Sequence, residues 1–410
     1  MEIISPEQVG FSSQRLQRLD AAMQRYIDEG KIAGLVNILA RRGQVFHMGC
    51  YGMADMERSR PMQTDTIFRM WSVTKAITAV AVLLLYEEGH FVLDTDIANF
   101  LPAYRDTRVF AGMDGEQPRL VNMERPITIR QLLLHTTGLA AKSSLEDTPP
   151  IQEMDRFFES IMPPNRTTLA AVVDGLARIP LAWQPNTKWA YGPSFELAAR
   201  LVEVVSGKSY DTFLRERIFE PLGMVDSGFV VSQSQLDRFS TFYAHDKSAE
   251  KLNVLDAPET SPHYHPDGKV PENYWTPGGH GSVSTPNDLM RFAQMLANRG
   301  QLDGVRLLAP PTVDLMTTNH LPPHLLPYVF YGRTDYGYGH GLGVHVLMDH
   351  GQAGIPCANG EYWKDGGSGT LFWVDPHYDL VGVVLYQLDP FNTYPIWHQT
   401  KALVYQAMES

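Results

Sequence analysis

The stretch Phe68-Arg69-Met70-Trp71-Ser72-Val73-Thr74-Lys75 runs directly into the apolar segment Ala76 to Tyr86. That segment, interrupted only by Thr78, predicts a helix from about Val73 to Glu88, ended by Gly89, a residue suited to the left-handed position after a helix. A helix apolar all round belongs inside a protein, and this one falls short of the ~18 residues a membrane span needs. Ser72 and Lys75, three apart at its start, share one face with about 5–6 Å between Cβ atoms. Serine is a weak nucleophile until a neighbouring base takes its proton. Lysine is such a base only when partly neutral, which burial and nearby cations favour. The helix N-terminus adds free N–H groups that favour negative charge on an attacked carbonyl oxygen. Alone, Ser-x-x-Lys recurs by chance, and the plain alternative is an N-cap serine beside a solvated lysine. The apolar helix tips that balance, because a buried lysine is costly to keep and marks function.

Working outward, Ser13 to Gly30 reads as an amphipathic helix with Leu16, Leu19, Met23 and Ile27 on one face. Leu35 to Ala40 and Val45 to Gly49 form a hairpin across Arg41 to Gln44. From Asp94 to about Ser284, prolines and loops separate short helical stretches: Thr128 to His135, Leu169 to Ala177, Ser194 to Ser206 and Tyr210 to Phe219. Strand signals return at Leu342 to Met348, Leu371 to Val374 and Leu380 to Leu388, and a closing helix runs from about Tyr394 to Met408. The expected fold is α+β: an antiparallel sheet flanked by N- and C-terminal helices, with a mostly helical second domain. Residues 1–90 and 285–410 make the discontinuous sheet domain and 91–284 the helical one. The cleft between them is the expected place for a site.

Composition narrows the function. The 410 residues carry a formal net charge of -12, which argues against a nucleic-acid partner. Only Cys50 and Cys357 occur, and two buried free thiols are expected rather than a bridge. Zinc-type spacing is missing, so neither metal nor cofactor is implied. The start, Met1-Glu2-Ile3-Ile4-Ser5-Pro6, lacks a basic region followed by an apolar one, which points to a cytoplasmic protein with no membrane partner. The sequence leaves the oligomeric state open.

Ser72-Val73-Thr74-Lys75 with its apolar helix resembles the first motif of class C β-lactamases, D-alanyl-D-alanine peptidases and bacterial family VIII carboxylesterases. Leu132-Leu133-Leu134-His135-Thr136-Thr137-Gly138-Leu139 is similar to a further segment of that superfamily, and Trp183 to Gly192 to the segment carrying its catalytic tyrosine. Phe219-Glu220-Pro221-Leu222-Gly223-Met224 and Gly278 to Thr285 agree in order and spacing. The resemblance spans residues from about 10 to 405 and implies the β-lactamase/transpeptidase-like fold. It also implies that Ser72 forms an acyl-enzyme, Lys75 shares its proton, and Tyr191 completes the base or protonates the leaving group.

Two departures shape the substrate expected. Where β-lactamases carry Lys-Thr-Gly on a sheet edge, this chain reads Trp363-Lys364-Asp365-Gly366-Gly367-Ser368-Gly369, which is similar to the Trp-Gly-Gly of family VIII esterases with Lys364-Asp365 interposed. An N–H near Gly367 or Ser368 is the expected second oxyanion donor, with Trp363 in an apolar pocket. Where β-lactamases place asparagine two residues after the tyrosine, Pro193 offers no donor. A small carboxylic ester is therefore the expected substrate. Acyl transfer to an alcohol is the first alternative, since Tyr191-Gly192 and Gln387 to Asn392 also resemble fungal acyltransferases. A β-lactamase or peptidase is the second, and a penicillin-binding protein that acylates without turnover the third. His280 and His340 flank glycine-rich segments and are candidate cleft residues, whereas His135 reads as structural. His263, His265 and Asp267 read as an exposed loop.

Overall fold

The computed structural model describes residues 2–142, 146–162, 167–246, 248–330 and 332–409. Strands β1 (Gly34–Arg41), β2 (Gln44–Asp55) and β3 (Arg60–Pro61) come from the beginning of the chain. Strands β4 (Tyr338–His340), β5 (His345–Leu347), β6 (Tyr362–Gly366), β7 (Thr370–Asp375) and β8 (Leu380–Tyr386) come from its end. Among the described residues they form one eight-stranded sheet in the order β4-β5-β6-β7-β8-β1-β2-β3, antiparallel throughout. Register joins the two halves at its centre, with Leu35 opposite Tyr386 and Arg41 opposite Leu380.

Both faces are covered, so all eight positions of β1 are buried. On one face, Leu35, Leu39, Trp373 and Val384 pack under helix α1 (Ser13–Asp28) through Leu16, Leu19 and Met23, and under the closing helix Ile396–Tyr405. On the other, Val36, Ile38, Phe372 and Val383 lie under helix α4 (Pro286–Ala297), in one apolar cluster with helix α2 (Thr74–Glu87) and helix α3 (Ser194–Ser206), which packs on α2. Alternation of side chains along each strand sends successive residues to these two layers. From Thr74 to Leu85 every residue of α2 is buried, as its all-round apolarity requires. Its end is marked by Gly89 at φ +81°.

Several expectations need correction. The strand expected over 342–348 is two short strands about a turn at Gly341 to Val344, and the last sheet strand ends at Tyr386. Strand β6 escaped notice because Lys364, Asp365 and Gly366 hide its pattern, although all five of its residues are buried. Helices Pro149–Ile161 and α4 were also missed. So were the hairpins Arg108–Asp114/Gln117–Asn122 and Phe242–Asp246/Lys251–Asp256, whose strands lack a clean apolar alternation and are only partly buried. Cys357 is buried but Cys50 is exposed. His263 and His265 are half-buried rather than in an exposed loop, and His263 Nδ1 donates to the Phe229 carbonyl at 3.1 Å. Among the described residues no helix is long and apolar enough to cross a membrane.

Candidate active site

Ser72 sits in a 3-10 turn, Trp71–Val73, that leads into α2. Three contacts pin this entrance: Met70 N donates to Ser282 O at 2.8 Å, Thr370 Oγ1 donates to Met70 O at 2.8 Å, and Thr74 Oγ1 donates to Trp71 O at 2.6 Å. The buried Arg69 guanidinium holds Asp256 at 2.7 Å and the Ser240 carbonyl at 2.7 Å, fixing the preceding strand. Trp71 itself lies at φ +46°, a left-handed conformation that a bulky residue adopts only under tertiary constraint. The strain therefore falls on the residue just before the serine.

Two side chains converge on Ser72 Oγ. Lys75 Nζ donates to it at 3.1 Å, one helical turn on, and the Tyr191 hydroxyl donates to it at 2.7 Å from the segment preceding α3. Lys75 is 5% exposed and also donates to the Gly279 carbonyl at 2.6 Å. Burial, reinforced by the neighbouring Lys364 ammonium, lowers the Lys75 pKa to about 7, against the opposing pull of Glu196 and Asp365. At neutral pH a large share of Lys75 is therefore the free amine. Ser72 is half-buried, so its hydroxyl remains within reach of a small molecule.

Glu196, at the start of α3, is the supporting residue that sequence reasoning missed. Buried at 3% exposure, it accepts hydrogen bonds from Trp275 Nε1 at 2.9 Å, Gly278 N at 3.0 Å and Gly279 N at 2.9 Å. It thus fixes the loop whose carbonyl holds Lys75. The available signal was a lone carboxylate inside Phe195-Glu196-Leu197-Ala198. His135, at φ +57° after the helix Ile129–Leu134, backs Tyr191 with ring centroids 4.5 Å apart, and its Nδ1 lies 3.2 Å from Ser194 Oγ.

The remaining expected residues divide. A Cβ on Gly367 would lie 3.0 Å from Trp71 Cε3, so the glycine turn after β6 runs directly beneath the Trp71 ring. The Ser368 hydroxyl is buried and donates to Arg69 O, so it anchors the approach to Ser72. Trp363 belongs to the apolar layer under α1, stacked on His345 at 4.2 Å, and not to the cluster around Tyr191; period-two alternation along β6 is the reason. The same alternation turns Lys364 towards Tyr191, with Nζ 5.9 Å from its ring centre and 2.9 Å from Asp365 Oδ1. The pair that looked like an interruption is thus a buried cation beside the site with its own counter-ion. His280 follows Gly279, and burial with the nearby Lys75 charge lowers its pKa to about 4. His340 is fully enclosed, donates from Nδ1 to Gly341 O at 2.6 Å, and stands behind His135 with centroids 5.8 Å apart.

In comparison with known proteins, the beta-lactamase family's sequence signature matches residues 19–404. The chain belongs to the beta-lactamase family. Within that family it is 31% identical over 300 residues to esterase EstB of Burkholderia gladioli, covering 70% of this chain and 71% of that protein. It is 30% identical to the lovastatin esterase of Penicillium rubens, covering 89% and 91%. Among solved structures it superposes on EstCE1, described as a hydrolase with promiscuous acyltransferase activity, at a TM-score of 0.78 and 26% identity, covering 96% and 99%.

Proposed function

We propose that this family member is a serine ester hydrolase that works through an acyl-enzyme on Ser72. The observation that carries the reading is the convergence of the Lys75 amine and the Tyr191 hydroxyl on one serine oxygen. Neutral Lys75 takes the Ser72 proton as Oγ attacks the ester carbonyl. Charge developing on the carbonyl oxygen meets the Ser72 N–H and an N–H of the turn at Gly367. Tyr191 gives its hydroxyl proton to the departing alcohol and is reprotonated by the Lys75 ammonium, whose Nζ lies 4.7 Å from the Tyr191 ring centre. Water then enters by the same base and releases the acid. The esterases among its relatives support this choice of substrate class.

Two features argue against a β-lactam. Pro193 caps α3 and has no donor for a side-chain amide, and Lys364 is 1% exposed with Asp365 as its partner, so it does not present a cation to a substrate carboxylate. The test is to measure a short aryl ester and a chromogenic cephalosporin on one preparation. The expected ratio of specificity constants favours the ester by at least about a hundredfold, some 2.7 kcal/mol of differential transition-state stabilisation. Equal constants would restore the lactamase reading. A second reading, transfer of the acyl group to an alcohol, is favoured by the likeness to EstCE1. Product analysis with added alcohol separates it from hydrolysis.

A further inference from the structure

A cavity of about 340 Å³ lies against the face of β6 that carries Trp363 and Asp365, and its walls include Phe330, Leu371, Tyr386, Phe391 and Trp397. Two of its walls adjoin the candidate active site. Phe330 packs on the Tyr191 ring with centroids 5.1 Å apart, and Asp365 directly precedes the glycine turn beneath Trp71. Its rim at Asn392, Pro395 and His398 is exposed. The geometry points to this cavity as the subsite that takes a bulky, ring-bearing apolar arm of the ester attacked at Ser72, an inference that rests on the ester reading.

The occupant's chemistry follows from the walls. Flat aromatic faces favour flat or cyclic apolar groups, and the volume falls in the range of small-molecule pockets, roughly 300–1,000 Å³. Charges at the walls are already matched: Lys401 with Glu361, Asp365 with Lys364, and Arg333 with Asp335. An ionic ligand therefore gains little here. The indole N–H groups of Trp363 and Trp397, by contrast, are buried without a protein acceptor. Leaving such donors unmade is costly, so an arm carrying an ether, hydroxyl or carbonyl oxygen suits the site better than a pure hydrocarbon.

The test uses three alkyl esters: ethyl acetate, 2-naphthylmethyl acetate, and ethyl 2-naphthylacetate, so that the ring sits on the alcohol side or on the acyl side. At least one naphthyl ester is expected to exceed ethyl acetate by about tenfold or more in kcat/KM, mostly through KM, as burial of several extra carbons in a fitted pocket requires. Asn392→Trp, at the exposed rim, is expected to remove that preference while leaving ethyl acetate turnover unchanged. Phe391→Ala provides a second perturbation by enlarging the cavity. Naphthyl esters no better than ethyl acetate, or a preference indifferent to both substitutions, would overturn the inference. A separate arm keeps the two readings apart: calorimetric binding of 2-acetylnaphthalene to Ser72→Ala protein, with and without Asn392→Trp. Binding that the rim substitution abolishes, in an enzyme that turns over no ester, sinks the ester reading and retains the cavity as an aromatic-ligand site. Turnover of ethyl acetate with no binding of the ketone does the reverse.

Discussion

Replacing Lys364 by methionine should move the pH dependence of the reaction, because Lys364 helps to hold Lys75 neutral. The two amines sit 5.9 and 4.7 Å from the centre of the same Tyr191 ring, which puts them within about 11 Å of each other. At that separation and an effective dielectric near 20, their repulsion is about 1.5 kcal/mol, equivalent to roughly one pH unit. Removal also frees Asp365, whose charge favours protonated Lys75, so one unit is the lower end of the expected change. The sign follows directly: the wild-type Lys75 pKa is lowered to about 7, and losing a cation raises it towards the ordinary lysine value. The acid limb of kcat/KM should therefore sit near pH 7 in the wild type and about one unit higher or more in Lys364→Met. At pH 7 the variant should be about fivefold slower or more, and it should recover as the pH approaches 9. The assay is hydrolysis of a short aryl ester from pH 5 to 10, corrected for spontaneous hydrolysis, with thermal melts to confirm folding. Lys364→Arg keeps the charge and should keep the limb. An acid limb that stays in place in folded Lys364→Met would refute the coupling and leave burial as the cause of the neutral amine.

Lys75→Arg should be nearly as inactive as Lys75→Ala, because guanidinium keeps the charge but does not give up its proton; substantial residual turnover would make Lys75 an electrostatic support and not a base. Glu196→Gln puts an amide donor against one of the three N–H groups the carboxylate now accepts, and should lower unfolding stability by roughly 2–3 kcal/mol in urea titration. Equal stability there would show that the Gly278–Gly279 loop is held by other contacts. Gly367→Ala brings a methyl to 3.0 Å from the Trp71 ring and should slow turnover about a hundredfold by displacing an oxyanion donor; the rate should partly return in Gly367→Ala with Trp71→Ala. Full activity in Gly367→Ala would place that donor elsewhere.

The central helix and the paired ends of the sheet were legible in the sequence. An unbroken apolar run at α2 and the apolar strands β1, β7 and β8 report burial through local composition alone. Ser72 and Lys75 were legible for a related reason, since three residues along a helix fix their proximity whatever surrounds them. Tyr191 was reached only through likeness to a family, because 119 residues separate it from the serine it touches. Glu196 shows the limit most clearly. Its partners lie 79 to 83 residues away and two of the three are backbone N–H groups, which carry no residue-type signature. Only the register of β6 beside β7 decides which of the neighbours Trp363 and Lys364 faces Tyr191, and that register is not written in the local sequence. Local geometry thus determined the pairing of Ser72 with Lys75. Tertiary packing alone determined how far Lys75 is desolvated and which charges surround it, and those two quantities set the proton affinity on which the reaction depends.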